Sequence, residues 1–175
     1  MKTILIFVST LDGKITKWGE PDIRSWSSKY DQDHFDAIWN ETRIIIMGSG
    51  SYLPDPVSPG PDHLFIVMTR HPETYSNKEL KGKLEFTSDS PASLVERFEK
   101  VGEEKLLVVG GPHIATLFLK DQLINEIWLT IEPLIFGKGG NFVIEEELDI
   151  SLKLLSYSKV NEEGTIVTKY QVVKR

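Results

Sequence analysis

Four short apolar runs constrain the fold of this chain more than any other feature of its sequence. Each run is continuous and rich in β-branched residues, and the runs cover residues 4–8, 44–47, 64–68 and 106–109. Continuous runs of this length are typical of strands that are buried on both faces of a mainly parallel sheet. Helices must then cover both faces of the sheet, so the sequence predicts an α/β fold.

Three further segments carry the periodicity of helices. A first helix is predicted over about 28–40, and a third over about 112–120. The helix between them begins with Ser90 and Pro91, an N-cap residue followed by a first-turn proline, and ends at Gly102. Helices placed between the apolar runs are the crossover connections that parallel strands require.

The carboxyl-terminal part of the chain has a different pattern. A strand is predicted at 127–135, and two strand-like segments at 152–159 and 165–174 flank an Asn-Glu-Glu-Gly turn signal at 161–164. These segments predict an antiparallel hairpin that completes a sheet of about eight strands. No repeat, low-complexity tract or linker interrupts the sequence, so we predict a single domain over 1–175.

Composition narrows the possible partners. The formal net charge of −6 comes from 26 acidic and 20 basic residues without a long block of either sign, which argues against nucleic acid or an anionic membrane as a partner. The chain has no cysteine, so disulfides and thiolate nucleophiles are excluded, and a reducing, cytoplasmic compartment is expected. The four histidines are not spaced as metal ligands, so no metal site is predicted.

Polar and glycine residues follow the second apolar run. Ligands of open α/β sheets bind beyond the carboxyl ends of the parallel strands, so these positions are candidate site residues. Gly48 and Gly50 allow a ligand to approach the backbone closely, while Ser49 and Ser51 offer hydroxyls and amides to phosphate oxygens. An ordinary tight turn is the alternative interpretation.

A second glycine turn follows the fourth run, where Gly110 and Gly111 precede Pro112 and His113. A helix that starts at Pro112 or His113 presents unpaired amides and the positive end of its dipole, which together favour an anion. Two such turns at neighbouring strand ends suit a pyrophosphate.

The third run is followed by Thr69 and Arg70. A guanidinium beside a hydroxyl suits a terminal phosphate such as the 2'-phosphate that distinguishes NADPH from NADH. A solitary surface arginine without a ligand is the alternative interpretation. No G-x-G-x-x-G pattern follows the first strand, so an ordinary dinucleotide-binding fold is disfavoured.

Five short motifs occur in order along the chain: STLDGKI at 9–15, IMGSGSY at 46–52, IVMTR at 66–70, VVGGP at 108–112 and PLIFGKG at 133–139. In sequence and order they resemble the riboflavin-biosynthesis reductase (RibD C-terminal) family of the dihydrofolate reductase superfamily. The resemblance runs from about residue 4 to residue 142 and implies a dihydrofolate-reductase-like fold and NADPH as cofactor.

The resemblance also implies roles for particular residues. The stretch from Gly48 to Ser51 and the turn at Gly110 and Gly111 would hold the phosphates and the ribose-nicotinamide part of NADPH, with Thr69 and Arg70 at the 2'-phosphate. Ser88 would line the adenine end of the cofactor. In the first loop, Asp12 and Lys14 would border the substrate cavity, although a tight turn is the alternative for both. A homodimer is expected on the same ground.

Three positions depart from that family's pattern. Val109 stands where such reductases carry a glutamate, and residues 37–40 offer no arginine for a ribose phosphate. Residues 49–51 carry serine and glycine where many relatives have arginine and threonine. These departures place the substrate outside the riboflavin pathway and weaken the expected phosphate contacts.

The catalytic proton donor is predicted to be an acidic residue of the first helix. Hydride transfer to a C=N bond also requires a proton, and dihydrofolate reductases supply an acid from this helix. Asp31, Asp33 and Asp36 are the candidates, with solvation near the helix start as the alternative for each. Three aromatic residues are candidates for an apolar wall against a ring, with core packing as the favoured alternative for each: Trp18, Trp26 and Tyr30.

The sequence therefore predicts an NADPH-dependent reductase that transfers a hydride to a C=N or C=O bond of a small heterocyclic or carbonyl substrate. Catalysis is assigned to Asp31 or Asp33, with Asp12 and Lys14 at the substrate cavity. Genuine dihydrofolate reductase activity and a nucleotide-binding module without turnover remain the alternatives.

Overall fold

The computed structural model describes residues 1–18, 20 and 22–174. It contains eight strands: β1 (Lys2–Thr10), β2 (Ile44–Gly48), β3 (Leu64–Met68), β4 (Leu84–Thr87), β5 (Lys105–Val108), β6 (Glu126–Glu132), β7 (Ser151–Lys159) and β8 (Ile166–Val173). The α-helices are α1 (Lys29–Asn40), α2 (Ser49–Tyr52), α3 (Pro91–Lys100) and α4 (Pro112–Lys120). Two 3-10 helices, Ile23–Ser25 and Pro72–Lys78, complete the elements.

All eight strands form one sheet in the order β4-β3-β2-β5-β1-β6-β8-β7. The strands from β4 to β6 are parallel to one another, whereas β8 runs antiparallel to β6 and β7 antiparallel to β8. The predicted mainly parallel sheet of about eight strands, closed by an antiparallel carboxyl-terminal hairpin, is confirmed.

The central strands are buried on both faces because helices lie on each side of the sheet. Ile44 and Ile46 of β2 pack in the core cluster formed with α3 and α4, which contribute Leu94 and Phe118 among others. Ile45 of β2 faces the opposite way and packs in the cluster that contains residues of α1. This two-sided burial explains why the strands are continuous apolar runs in the sequence.

The helix boundaries follow from local chemistry. The Ser28 hydroxyl accepts a hydrogen bond from the amide of Asp31 at 3.2 Å, and this N-cap starts α1. Ser90 caps α3 in the same way, with Pro91 in the first turn. No helix in the described part of the chain is long and apolar enough to cross a membrane.

One boundary differs from its prediction. The strand predicted to run to residue 135 ends at Glu132. Pro133 has no amide hydrogen to continue the ladder, and the Leu134 amide instead donates to the carbonyl of Glu132 at 2.8 Å, which turns the chain away from the sheet.

Candidate active site

The carboxyl ends of the parallel strands open into one cleft with a volume of about 1690 Å³. Helix α1 and the loop 53–58 form one end of the cleft, and the turns after β2, β3, β4 and β5 form the other. The predicted site residues that line it are Asp31, Gly48, Ser49, Gly50, Ser51, Thr69, Arg70, Ser88, Gly111, Pro112 and His113. A more open depression of about 1160 Å³ at the other end of the sheet contains none of them.

The two glycine turns are packed against each other. The amide of Gly48 donates to the carbonyl of Gly110 at 2.8 Å, and Gly110 has a φ of +116°, which favours glycine. A Cβ on Gly48 would lie 2.8 Å from Cγ1 of Ile114, and a Cβ on Gly111 would lie 3.0 Å from Oγ of Ser51. These positions have no room for a side chain, so the backbone itself forms this surface of the cleft.

Two helices begin beside these turns. Helix α2 starts at Ser49 directly after Gly48, and α4 starts at Pro112 directly after Gly111. Neither helix has a side-chain hydrogen bond at its N-cap, because the capping residue is glycine in both cases. The first amides of α4 are therefore available to an anion, and the helix dipole favours a negative charge there.

Arg70 differs from the other arginines that the structure describes. Arg24, Arg43 and Arg97 each pair with a carboxylate, on Asp36, Glu103 and Glu85 respectively. Arg70 is exposed, lines the cleft, and has no ion pair or hydrogen bond with any described residue. A guanidinium without a protein partner is free to bind a phosphate.

Thr69 and Ser88 extend the same surface. The Thr69 amide donates to the carbonyl of Thr87 at 2.8 Å, which joins the ends of β3 and β4. Ser88 follows β4 directly and is exposed in the cleft. The structure thus brings Thr69, Arg70 and Ser88 together from two neighbouring strand ends. Thr69 and Arg70 follow the third apolar run, whereas Ser88 was placed here only by the family resemblance.

The opposite end of the cleft contains Asp31, which is only 7% exposed. Burial raises the pKa of its carboxyl group from 3.8 to about 6. The hydroxyls of Thr130 and Ser27 lie close enough to lower that pKa, and the negative charge of Glu132 raises it further. A carboxyl group with a pKa near neutrality can carry a proton and release it during a reaction.

Glu132 is a functional candidate that the sequence analysis missed. It is 3% exposed, and its carboxylate accepts hydrogen bonds from the amide of Ser28 at 2.8 Å and from the hydroxyl of Thr165 at 2.6 Å. These contacts fix the start of α1, and hence Asp31, against β6 and the hairpin. The sequence contained a signal for Glu132, because Thr130 and Glu132 are polar residues two apart in a predicted strand and therefore lie on the same face of the sheet.

The other acidic residues of α1 have different surroundings. Asp33 is exposed, pairs with Lys29, and lies outside the residues that line the cleft. Asp36 lines the cleft but accepts a hydrogen bond from Nη2 of Arg24 at 2.8 Å. Among the three predicted carboxylates, only Asp31 combines burial, a raised pKa and a place in the cleft.

Asp12 and Lys14 hold the first loop in place. The Asp12 carboxylate accepts hydrogen bonds from the hydroxyl of Thr10 at 2.6 Å and from the amides of Phe136 and Gly137 at 3.2 and 2.7 Å. These bonds lower its pKa. Nζ of Lys14 donates to the side chain of Asn141 at 2.9 Å. Both side chains therefore join the first loop to residues 136–141, and neither is among the residues that line the cleft.

The aromatic wall differs from its prediction. Trp26 packs edge-on against Phe136, with ring centroids 5.2 Å apart, and Tyr30 stacks on His34. Neither residue lines the cleft, and neither does the exposed Trp18. The rings that do line it are Phe7, Phe35 and Trp39. Trp26 and Tyr30 pack against other rings of the fold, which is the alternative that the sequence favoured for any single aromatic residue.

The fold and the strand-end cleft define a dihydrofolate-reductase-like protein. Dihydrofolate reductase from Enterococcus faecalis, in a complex with NADP(H) and RAB-propyl, has a TM-score of 0.66 at 16% identity, over 99% of this chain and 97% of that protein. The chain belongs to the RibD C-terminal domain family, whose model matches residues 1–166.

Two further relatives support this assignment. The diaminohydroxyphosphoribosylaminopyrimidine deaminase/5-amino-6-(5-phosphoribosylamino)uracil reductase of Thermotoga maritima has a TM-score of 0.76 at 17% identity, and the match covers 98% of this chain but 56% of that protein. The uncharacterised protein YwjB of Bacillus subtilis is 23% identical over 145 residues, which are 79% of this chain and 80% of YwjB. The structural likeness to the Thermotoga maritima protein shows that this chain shares its reductase-type fold.

Proposed function

We propose that the protein is an NADPH-dependent reductase that transfers a hydride to a C=N or C=O bond of a small heterocyclic or carbonyl substrate. The observation that carries the proposal is the buried Asp31, whose carboxyl pKa is about 6, in the same cleft as two packed glycine turns. Protonation and cofactor binding are both required for reduction, and the cleft offers residues for each at opposite ends.

The residues at the glycine end fit NADPH. The closely packed backbone at Gly48 and Gly111, where a Cβ would clash or come close to contact, would admit the flat parts of the cofactor and its phosphates. Amides at the start of α4 would bind the pyrophosphate, and the unpaired Arg70 would bind the 2'-phosphate beside Thr69. NADPH supplies the hydride when it is bound.

Asp31 is proposed as the proton donor and as the group that holds the substrate ring. At a pH near its pKa, about half of the molecules carry the proton on this carboxyl group. The hydroxyl of Thr130 lies close to this carboxyl group, and the hydrogen bond that Glu132 accepts from the Ser28 amide holds the start of α1. A bound water is the alternative donor, with Asp31 then acting to orient it.

Genuine dihydrofolate reductase activity is a second candidate. It is favoured by the position of Asp31 on the first helix, where the resemblance places the pteridine-binding acid. A nucleotide-binding module without turnover is less well supported, because a buried carboxyl group with a raised pKa is costly to the fold and is typical of a reactive site.

We also propose that the protein forms a homodimer through β7. This strand lies at the edge of the sheet and pairs only with β8 among the described strands. Its exposed apolar side chains are Leu152, Leu154, Leu155 and Tyr157. A long apolar edge strand favours pairing with a second copy of the chain.

The homodimer is tested by light scattering. The measured mass should be twice that of the chain, and Leu154→Lys should reduce the measured mass to that of the monomer.

The proposed cofactor is tested by thermal denaturation with NADPH or NADH. At a concentration of about 100 Kd, NADPH should stabilise the fold by about 2.7 kcal/mol, which corresponds to a rise in Tm of roughly 5 to 10 °C. NADH should give a clearly smaller rise. Equal stabilisation by the two nucleotides would contradict the role of Arg70, and no stabilisation by either would contradict the proposal.

Turnover is tested by NADPH oxidation across a panel of dihydropterins, cyclic imines and small ketones. Oxidation that depends on Asp31 supports a reductase. Tight NADPH binding without oxidation across the panel would favour the nucleotide-binding module.

A further inference from the structure

The two ends of the cleft differ in charge. Among the described lining residues, the end formed by α1 and the loop 53–58 carries four carboxylates and one guanidinium: Asp22, Asp31, Asp36, Asp55 and Arg24. The end formed by the strand turns carries Arg70, His113 and Asp89. No lysine lines either end. The end proposed for the substrate is therefore the acidic one.

The guanidinium at the acidic end is already bound to the protein. Nη2 of Arg24 donates to a carboxylate oxygen of Asp36 at 2.8 Å, and the Arg24 amide donates to Asp22 at 2.9 Å. The pKa of Arg24 is raised, first by the hydrogen bond that it donates to Asp36 and also by the charges of Asp36, Asp55 and Asp22. Its positive charge is thus balanced by protein carboxylates.

A second observation concerns Ser27, which lines the cleft next to Asp31 and is only 8% exposed. Its hydroxyl lies close enough to Asp31 to lower that pKa, yet it has no hydrogen bond of acceptable geometry with any described residue. A buried hydroxyl without such a bond is unfavourable unless a ligand or water completes it. The inner part of this end therefore suits a polar ring that hydrogen-bonds to Asp31, and rotation of the Ser27 side chain would let its unsatisfied hydroxyl bind the same ring.

We infer that the substrate is a neutral or cationic heterocycle that lacks a phosphate or carboxylate group. The inference rests on the proposed function and specifies its substrate class. An anionic substituent that projects from the ring towards the mouth would meet Asp22, Asp36 and Asp55 and find no unpaired cation there. A protonated amine in the same place would gain from the net negative charge that remains after Asp36 pairs with Arg24.

This conclusion separates the chain from substrates that carry a ribose phosphate or a carboxylate tail. The absence of an arginine in residues 37–40 already removes one expected phosphate contact. Arg24 lies near the same helix, but its guanidinium is already paired with the carboxylate of Asp36. Among the described residues, this end of the cleft therefore has carboxylates but no unpaired arginine or lysine for an anion.

The test uses two 2,4-diaminopyrimidines with the same ring and the same short alkyl linker, one ending in a primary amine and the other in a carboxylate. The protonated ring presents two N–H groups to a carboxylate such as that of Asp31. Calorimetric titration of the NADPH-saturated protein gives the Kd of each compound. The amine should bind at least about tenfold more tightly at low salt, and the ratio should fall as sodium chloride is added.

A variant with fewer carboxylates tests whether the preference for the amine compound arises at the acidic end of the cleft. Asp36→Asn combined with Asp55→Asn removes two carboxylates and releases Arg24, so the preference for the amine should disappear or reverse. The control combines Glu41→Gln with Glu163→Gln, which makes the same change in net charge at exposed positions outside the cleft. This control should keep the preference of the unmodified protein.

The outcomes separate the inference from the proposed function. Equal or tighter binding of the carboxylate compound to the unmodified protein would overturn the inference alone. An amine preference that the control variant also loses would overturn it too, because the effect would then come from net charge. If NADPH binds but neither compound does, the ring site at Asp31 is wrong and the inference fails with it. If NADPH does not bind, the proposed function itself fails.

Discussion

The two ends of the cleft are built in different ways. The glycine end is formed by backbone from consecutive residues after each strand, such as Gly48 and Gly111, where even a Cβ does not fit freely. The Asp31 end is formed by side chains from separate segments, since Asp31 lies beside Ser27, Thr130 and Glu132. A backbone site depends on local sequence, whereas a side-chain site depends on how distant elements pack.

The difference has an energetic consequence. Glycines at tight turns fit with little penalty, so the glycine end is compatible with a stable fold. A buried carboxyl group with a raised pKa destabilises the fold when it is ionised. The Asp31 end therefore lowers stability at neutral pH, as is common where a site is arranged for chemistry.

The largest expected effect comes from Asp31→Asn. The amide keeps the shape of the side chain but cannot donate a proton as an acid, so kcat should fall by about 10²- to 10⁴-fold. The Kd for NADPH, measured by titration, should stay within about twofold, because the proposed cofactor site is at the other end of the cleft. Glu41→Gln, an exposed change at the carboxyl-terminal end of α1, serves as the control. A large loss of NADPH binding in Asp31→Asn would remove the proposed division between the two ends.

The second effect is the pH dependence of stability that Asp31 produces. Its folded pKa of about 6 lies above 3.8, so its stabilising contribution is complete below pH 3.8 and is lost as pH rises through about 6. The total change is about 3 kcal/mol, of which about 2 kcal/mol falls between pH 4.5 and 7.5. Urea unfolding should show Asp31→Asn gaining that much relative to the unmodified protein over this interval. If the difference in unfolding free energy between Asp31→Asn and the unmodified protein did not change with pH, the pKa of Asp31 would not be raised.

The third effect tests the packing at the glycine end. Gly48→Ala places a Cβ against Ile114, so unfolding free energy should fall by about 1 to 3 kcal/mol, with weaker NADPH binding. The Cβ of Gly50→Ala meets no atom within 4 Å, so that variant should keep its Tm. Combining Gly48→Ala with Ile114→Ala should cost less than the sum of the single changes. If the losses of unfolding free energy in the two single variants simply added in the double variant, the close contact between residue 48 and Ile114 would not affect stability.

The smallest effect concerns Arg70, which is exposed and has no protein partner among the described residues. Arg70→Gln should weaken NADPH binding about tenfold, through loss of a charge-assisted hydrogen bond to the 2'-phosphate. The Kd for NADH should not change, because NADH lacks that group. Equal weakening of both nucleotides would move Arg70 away from the 2'-phosphate and would leave only the backbone to define the cofactor end.

Much of the fold could be predicted from local patterns. The four apolar runs became the strands β1, β2, β3 and β5, and α4 runs from Pro112 to Lys120 as the periodicity indicated. The N-cap at Ser90 was also predicted, because a serine before a first-turn proline starts a helix by local hydrogen bonding. The end of β6 at Glu132 was missed, although Pro133 marks it.

The residues of the glycine end were also identified from the sequence, because a residue that follows a parallel strand lies at the cleft wherever the strand pairs. The side-chain end was not. Sequence alone assigned catalysis to Asp31 or Asp33 without separating the two, and it offered Asp12 and Lys14 for a cavity whose lining includes neither.

The sequence by itself determined the α/β class, the parallel strands and the glycine turns, since these follow from burial patterns and backbone chemistry over a few consecutive residues. Only the tertiary structure decided which carboxylate is buried and which arginine is free. Glu132 accepts hydrogen bonds from Ser28 at the start of α1 and from Thr165 in the hairpin, and each partner is more than thirty residues away in the sequence. Burial and charge pairing are properties of surfaces that distant segments make together, and no local pattern contains them.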